Sequence, residues 1–227
     1  MTFNSTSAPS QSLFLLLIAV AAVSTGAATA DLIELHRMTK PLAMLVAIIF
    51  IATRAYQSRP KGRFESKFKT WLLIALVCSL AGDVALMFPG YFVPGLLAFL
   101  LAHLAYIALL KQGQAWFPSR RALVATLGLG AAMYAVLWVG GLPPALRAPV
   151  AAYVVVISLM AAQAIGRATV LHDTAAWGVA LGAGFFMLSD TLLALNKFVV
   201  PLPLAPLWVL STYYAAQILI VRHARPS

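Results

Sequence analysis

The sequence predicts an all-α integral membrane protein, a bundle of eight transmembrane helices with both termini on the cytoplasmic side. Hydrophobic residues fill 62% of the 227 positions and charged residues only 10%. An average soluble domain is about 25% charged, so this chain could not cover a water-facing surface. Eight predominantly apolar stretches come close to the roughly 20 residues that a helix needs to cross hydrocarbon. Lys and Arg outnumber Asp and Glu by sixteen to six, and they fall unevenly among the loops. A soluble enzyme, a disordered tail and a disulfide-stapled module are excluded, the last because Cys78 is the only cysteine.

The spans follow in order, each closed by a turn or charge signal. The first covers residues 12–30. Leu13 to Val23 could also form the core of a signal peptide, with Ala28-Thr29-Ala30 as a small-residue cleavage site, but residues 1–11 carry no Lys or Arg. Retention as a helix is the expectation. The second span, 41–56, opens on Pro41, which suits a first helical turn, and stops before Arg59-Pro60-Lys61-Gly62. The third, 71–88, ends at Pro89-Gly90, and the fourth, 91–110, precedes Lys111 and Pro118 and contains Pro94 as a possible local distortion. The fifth, 122–140, meets Gly140-Gly141-Leu142-Pro143-Pro144. The sixth is 148–168, the seventh 175–196, and after Pro201-Leu202-Pro203 the eighth covers 203–221. No loop is long enough for a soluble domain, so the whole chain reads as one transmembrane domain with its chemistry among the helices.

Counting basic residues on alternate sides gives the orientation. Twelve of the sixteen (Arg54, Arg59, Lys61, Arg63, Lys67, Lys69, Lys111, Arg120, Arg121, Arg167, Arg222 and Arg225) fall on one side, and Arg37, Lys40, Arg147 and Lys197 fall on the other. Lys and Arg concentrate in cytoplasmic loops, which places the larger group there. The net charge of +10 is therefore a topology signal and not a nucleic-acid footprint, although attraction to anionic membrane lipids fits it. Without an organelle address, the bacterial inner (plasma) membrane is the expected location. Oligomeric state is left open.

Of the six acidic residues, Asp31, Glu34, Glu65 and Asp173 are expected in loops, whereas Asp83 and Asp190 fall inside spans. An acidic residue at mid-membrane costs about 2.5 to 3.5 kcal/mol on insertion scales and usually faces a protein interior or a wet cavity. Asp83 lies five residues before Phe88 and Asp190 six before Asn196, which puts both carboxylates about 8 to 9 Å below the outer ends of parallel helices. A shared, outward-opening chamber is the expectation. Lys197 stands two turns beyond Asp190, Lys40 precedes Pro41 at the outer end of span two, and Ser79 lies one turn below Asp83. Glycines 82, 178 and 182 would let helices approach closely.

Span four offers His103 and Tyr106, and span eight offers Tyr213, Tyr214 and Gln217. Counted inward from Tyr91, His103 is expected about 18 Å deep, some 10 Å below the aspartates, which assigns it to support and not to direct catalysis. Interhelical hydrogen bonding and ordinary core packing account equally for His103 and the tyrosines. Walker, serine-elbow and paired-histidine zinc motifs are absent from the sequence. Because the depths disagree, no metal or other cofactor is expected. Residues 81–87 and 188–194 align around their aspartates, 107 positions apart, a hint of a four-plus-four duplication.

Five blocks resemble the YhhN family of integral membrane proteins. They are Lys40-Pro41-Leu42, the run from Ser79 to Met87, the run from Phe99 to Tyr106, the run from Phe186 to Asn196, and the run from Thr212 to Ile220. The resemblance implies an eight-helix fold with Asp83 and Asp190 at the family's two intramembrane aspartates. It also implies accompanying polar positions at Lys40, His103, Tyr106, Asn196, Tyr213, Tyr214 and Gln217. The implied activity is that of a lysoplasmalogenase, which hydrolyses the vinyl ether of a lysoplasmalogen to a fatty aldehyde and glycerophosphoethanolamine or glycerophosphocholine.

That chemistry suits two carboxylates. Protonation of the alkene carbon gives an oxocarbenium ion, and water captures it as a hemiacetal that collapses to aldehyde and alcohol. Like charges in a poorly solvated site disfavour double ionisation, so Asp83 and Asp190 divide into acid and anion, in an order the sequence leaves open. Lys40 and Lys197 would bind the phosphate of the lysophospholipid. Two other readings stand beside this one: a small proton-coupled transporter that uses the aspartates as a relay, and a hydrolase of a different lipid bond.

Overall fold

In the computed structural model the described residues are 8–54 and 63–226. The expected Arg59-Pro60-Lys61-Gly62 turn and the end of span two lie outside them. The described residues form eight helices: α1 (Ala8–Thr29), α2 (Ile33–Thr53), α3 (Arg63–Leu86), α4 (Phe92–Leu110), α5 (Arg120–Val139), α6 (Pro144–Leu171), α7 (Thr174–Phe198) and α8 (Ala205–His223). No strand occurs among them. Seven of the helices, α1 to α7, are long and apolar enough to cross a membrane, which makes this an all-α multi-pass membrane protein. The eighth expected span, α8, falls short of that mark because it carries Ser211, Thr212, Tyr213, Tyr214 and Gln217. The last three of these are buried against neighbouring helices, so its polarity is turned into the bundle.

All five tryptophans are exposed, and Trp138, Trp177 and Trp208 sit within a turn of a helix end, with Trp116 between α4 and α5, as in the aromatic belts of a membrane protein. The even-numbered helices run toward the strongly basic side, and several of its cations hold helix C-termini. Arg54 donates to the Val221 carbonyl at 3.0 Å, Lys69 to Ala52 at 2.6 Å, and buried Arg167 to Gln112 at 3.0 Å and Leu110 at 3.4 Å. The last carbonyls of a helix lack intrahelical donors and carry the negative end of its dipole, so cations belong there. Arg167, expected in a loop, is thus a buried clamp inside α6.

Several helices begin earlier than the hydropathy alone indicates. Helix α2 starts at Ile33, which leaves Pro41 inside it and Lys40 in its middle. A proline removes one N–H donor, and a helix packed among others tolerates that loss. Glu34 therefore lies in the first turn of α2 and pairs with Arg37 at 2.9 Å, while α3 already includes Glu65. Pro94 falls in the first turn of α4, where no intrahelical bond is lost, and α4 is unbroken. Asp173 caps α7, accepting from the Ala176 N–H at 2.8 Å.

Sequential helices pair as hairpins except α4 and α5, which do not pack on each other, and α1 and α2 also pack on α8. Leu17 and Ala21 of α1 are part of the core, so the first helix belongs to the bundle. Close approach depends on glycine at several contacts, among them Gly82 and Gly182. At Gly82 a Cβ would stand 2.6 Å from the Phe99 ring, and at Gly182 it would stand 2.8 Å from Ile220 and 3.0 Å from the Ala216 carbonyl oxygen. A Gly182→Leu substitution is expected to destabilise the bundle by about 1–3 kcal/mol through overpacking. Gly184→Ala, with nothing within 4 Å of the new Cβ, serves as a control. Thermal unfolding in detergent reads the difference.

Candidate active site

The two intramembrane aspartates occupy two separate polar clusters. Asp83 on α3 is 1% exposed. Its Oδ1 lies 3.2 Å from the Lys40 ammonium of α2, and its Oδ2 accepts from the Tyr213 hydroxyl of α8 at 2.5 Å. Behind Tyr213 the network continues through buried Gln217, whose Nε2 donates to the Tyr213 oxygen at 3.3 Å and whose Oε1 accepts from Tyr106 at 3.0 Å. Tyr214 donates to Ser24 of α1 at 2.9 Å. Ser79, one turn from Asp83, is fully buried.

The second cluster surrounds Asp190 on α7. The Tyr153 hydroxyl of α6 donates to Asp190 Oδ2 at 2.5 Å, and its oxygen lies 2.9 Å from His103 Nε2 of α4. With its one hydrogen given to the carboxylate, Tyr153 is left as acceptor, so His103 Nε2 donates to it and carries the proton. His103 Nε2 also stands 3.5 Å from Asp190 Oδ2. The other oxygen, Oδ1, has no protein partner among the described residues, and the side chain keeps 19% exposure.

That exposure faces a partly open pocket of about 70 Å³ between α4, α5, α6 and α7. Its wall is almost wholly apolar, built from residues such as Leu96, Met133, Leu137, Val154 and Ile157, with Asp190, Tyr153 and Thr191 as the polar exceptions. An apolar wall with a few convergent polar groups has the character of a site for an amphiphile. Helix α5 packs closely on α6 but only slightly on α7, which leaves the cavity's flank thinly covered.

Asp83 does not line this cavity, so the expected common chamber is not formed. An aromatic wall separates the two clusters: Phe186 stacks edge-on with Tyr213 at 5.5 Å, with Phe99 at 6.0 Å and with His103 at 4.7 Å between centroids. Equal depth along parallel helices left open which way each carboxylate points, and α3 passes behind Phe99. Lys40 likewise is not at a mouth. Because α2 begins at Ile33, its ammonium is carried into the interior, where Asp83 neutralises it. Asn196 closes a loop instead, its Oδ1 accepting from the Leu202 N–H at 2.9 Å.

His103 is the reverse case, a residue expected too deep that meets Asp190. Side chains tilt toward their helix N-terminus. The contacts Phe92 to Phe198 and His103 to Phe186 show α4 and α7 antiparallel, so the two side chains lean toward each other and close the gap. Tyr153 was not singled out from sequence. The available signal was slight: it is the sole tyrosine of α6. The clusters are built alike, each aspartate taking one partner from the preceding helix (Lys40 or Tyr153) and one from the far half of the chain (Tyr213 or His103). This matches the hinted duplication. Among the described residues no three His, Cys, Asp or Glu side chains group as metal ligands.

The YhhN family model matches residues 35–224, which hold both clusters and the cavity. The chain belongs to the YhhN family. This YhhN protein is 39% identical over 150 residues to human lysoplasmalogenase TMEM86B, a stretch that covers 66% of the chain and 61% of the human protein. It is 35% identical to the pig lysoplasmalogenase TMEM86B over 187 residues, 81% of the chain and 72% of that protein. With a lysoplasmalogenase of Mycobacterium bovis it shares 32% identity over 194 residues, 82% of the chain and 70% of that protein. No solved structure matches the chain.

The buried Lys40–Asp83 pair gives a stability prediction. Breaking a buried pair leaves one charge uncompensated and costs about 3–5 kcal/mol. Asp83→Asn and Lys40→Met are each expected to lower the melting temperature strongly. The double variant should recover much of the loss, whereas additive losses would show that the pair is not a unit.

Proposed function

We propose that this YhhN protein is a membrane-embedded lysoplasmalogenase that hydrolyses the vinyl ether of a lysophospholipid drawn from the membrane. The observation that carries the proposal is a single carboxyl group, Asp190, presented into an apolar cavity and held there by Tyr153 and His103. The names of the relatives add the substrate class.

In this reading the hydrocarbon chain lies in the cavity, with access from the bilayer between α5 and α7. Asp190 in its acid form gives its proton to the β-carbon of the enol ether, and the electron pair of the C=C bond forms the new C–H bond. The resulting oxocarbenium ion faces the aspartate's negative charge. Water adds to the cationic carbon and returns a proton to Asp190. The hemiacetal then breaks its C–O bond, so that the glycerol oxygen leaves with a proton and the fatty aldehyde remains. Tyr153 and His103 fix the rotamer of Asp190 and occupy its Oδ2, which leaves Oδ1 to carry the proton toward the substrate.

Asp83 takes the supporting half of the pair. Bound to Lys40, it anchors Tyr213 against Phe186 and Phe99, and so holds the wall on which His103 rests. Lys197 at the helix end meets the lipid phosphate, and no metal or cofactor takes part. In this reading the mouth faces the non-cytoplasmic leaflet of a bacterial inner membrane, an orientation the charge asymmetry supports.

Purified protein in detergent should release aldehyde from a 1-alkenyl lysolipid and leave 1-alkyl and 1-acyl analogues intact. A proton-coupled carrier would leave all three unchanged, and cleavage of the acyl analogue would point to another lipid bond. Asp190→Asn is expected to lose at least about 100-fold in kcat, the usual scale of general acid catalysis. Tyr153→Phe should lose about tenfold through the loss of one buried hydrogen bond. Both should remain folded, and activity should survive treatment with a chelator.

A further inference from the structure

The cavity has a rim whose charges the proposed chemistry leaves mostly unused. On α6, Arg147 stands one turn before Val150 and two before Val154, and both valines line the cavity. On α7, Lys197 stands one turn beyond Ala194 and two beyond Asp190, which also line it. Both cations therefore sit on the cavity-facing stripes of their helices, at the same end.

Aromatic rings pre-position both side chains. The Arg147 guanidinium lies 3.8 Å from the centroid of Trp138, and the Lys197 ammonium 4.7 Å from Phe92 and 5.8 Å from Phe198. Phe92 and Phe198 themselves line the cavity. The Tyr134 hydroxyl donates to the Arg147 carbonyl at 3.1 Å and ties down its backbone. Ring faces attract a cation but offer no oxygen to its N–H groups. Neither residue is paired with a carboxylate among the described residues, and Arg147 Nε is buried with no hydrogen-bond partner. The acidic residues on this side, Asp31 and Glu34, belong to the α1–α2 hairpin, which does not pack on α5, α6 or α7. The collar is thus electropositive, with donors still to be satisfied.

We propose that Arg147, together with Lys197, forms a two-cation collar that binds the phosphodiester of the lysolipid and sets the depth of its vinyl ether. This rests on the lysoplasmalogenase reading and adds Arg147 as the anchoring residue. The lengths agree. Lys197 lies seven residues above Asp190, about 10.5 Å along the helix, and Arg147 six before Tyr153, about 9 Å. From phosphorus to the carbon that accepts the proton there are seven bonds, about 8 Å at the advance of an extended chain. A charge-assisted contact at the phosphate adds about 3 Å. A phosphate held by the collar therefore brings the alkene level with the carboxyl of Asp190.

Steady-state hydrolysis in mixed micelles tests the collar, comparing 1-alkenyl-glycerophosphocholine with the phosphate-free 1-alkenylglycerol. Arg147→Gln should raise KM for the phospholipid about tenfold, the scale of a charge-assisted hydrogen bond, with kcat little changed. It should leave the phosphate-free substrate unaffected, and Arg147→Lys should fall between. An equal KM shift on both substrates would mean that Arg147 only packs the helix ends, and would overturn the proposal. Competition by inorganic phosphate at low millimolar concentration, with both substrates cleaved equally well, would assign the collar to free phosphate and overturn it too. Binding of a non-hydrolysable 1-alkyl lysophosphocholine, read as thermal stabilisation in detergent, is independent of turnover. Stabilisation that is lost in Arg147→Gln would uphold the collar even if no aldehyde were released, an outcome that would sink the lysoplasmalogenase reading alone. Stabilisation unchanged by the substitution would sink the collar.

Discussion

Carboxyl groups inside an apolar bundle must find partners, and the architecture is organised around that constraint. An ionised group loses several kcal/mol of solvation when it leaves water, and only an opposite charge or good donors offset the loss. Asp83 meets the demand with Lys40 and Tyr213, and Asp190 with Tyr153 and His103. These partners come from α2, α4, α6 and α8, so satisfying two side chains joins all the even-numbered helices to α3 and α7. The polarity of α8 has the same origin, since its tyrosines and glutamine complete these networks.

The two clusters share a plan and differ in what lies beside them. Around Asp83 every direction is filled by protein, which makes it a rigid joint. Around Asp190 one direction opens onto an apolar cavity. A rigid joint and a reactive group separated by one layer of aromatic rings can be mechanically coupled without sharing a proton. Phe186 touches both sides of that layer, Tyr213 on one and His103 on the other. Placement of the reactive carboxyl thus depends on packing well beyond its own hydrogen bonds.

The charge asymmetry has a second consequence. Cations on the basic side lie against the C-terminal carbonyls of α2, α4 and α8, so residues that set orientation in the membrane also close helix ends. On the other side Arg37 and Lys40 pair with carboxylates, whereas Arg147 and Lys197 rest on aromatic rings. The donors of these two cations are therefore open to an anion at that end.

Composition and hydropathy by themselves determined the all-helical membrane class, the number of helices and their order, because the cost of exposing backbone and charge in hydrocarbon leaves few alternatives. The same cost singled out Asp83 and Asp190, since a carboxyl within a long apolar stretch is expensive wherever it points. Gly82 and Gly182 were legible for a similar reason: a missing side chain signals close approach. What only the tertiary structure decided was direction. Whether Lys40 faced water or Asp83 turned on where α2 begins, eight residues before Pro41. Whether His103 met Asp190 turned on the opposed tilt of side chains on antiparallel helices. Tyr153 carried no mark in the sequence, because one tyrosine in an apolar helix is equally suited to packing, and its role arises only from the carboxyl group that α7 sets opposite its hydroxyl.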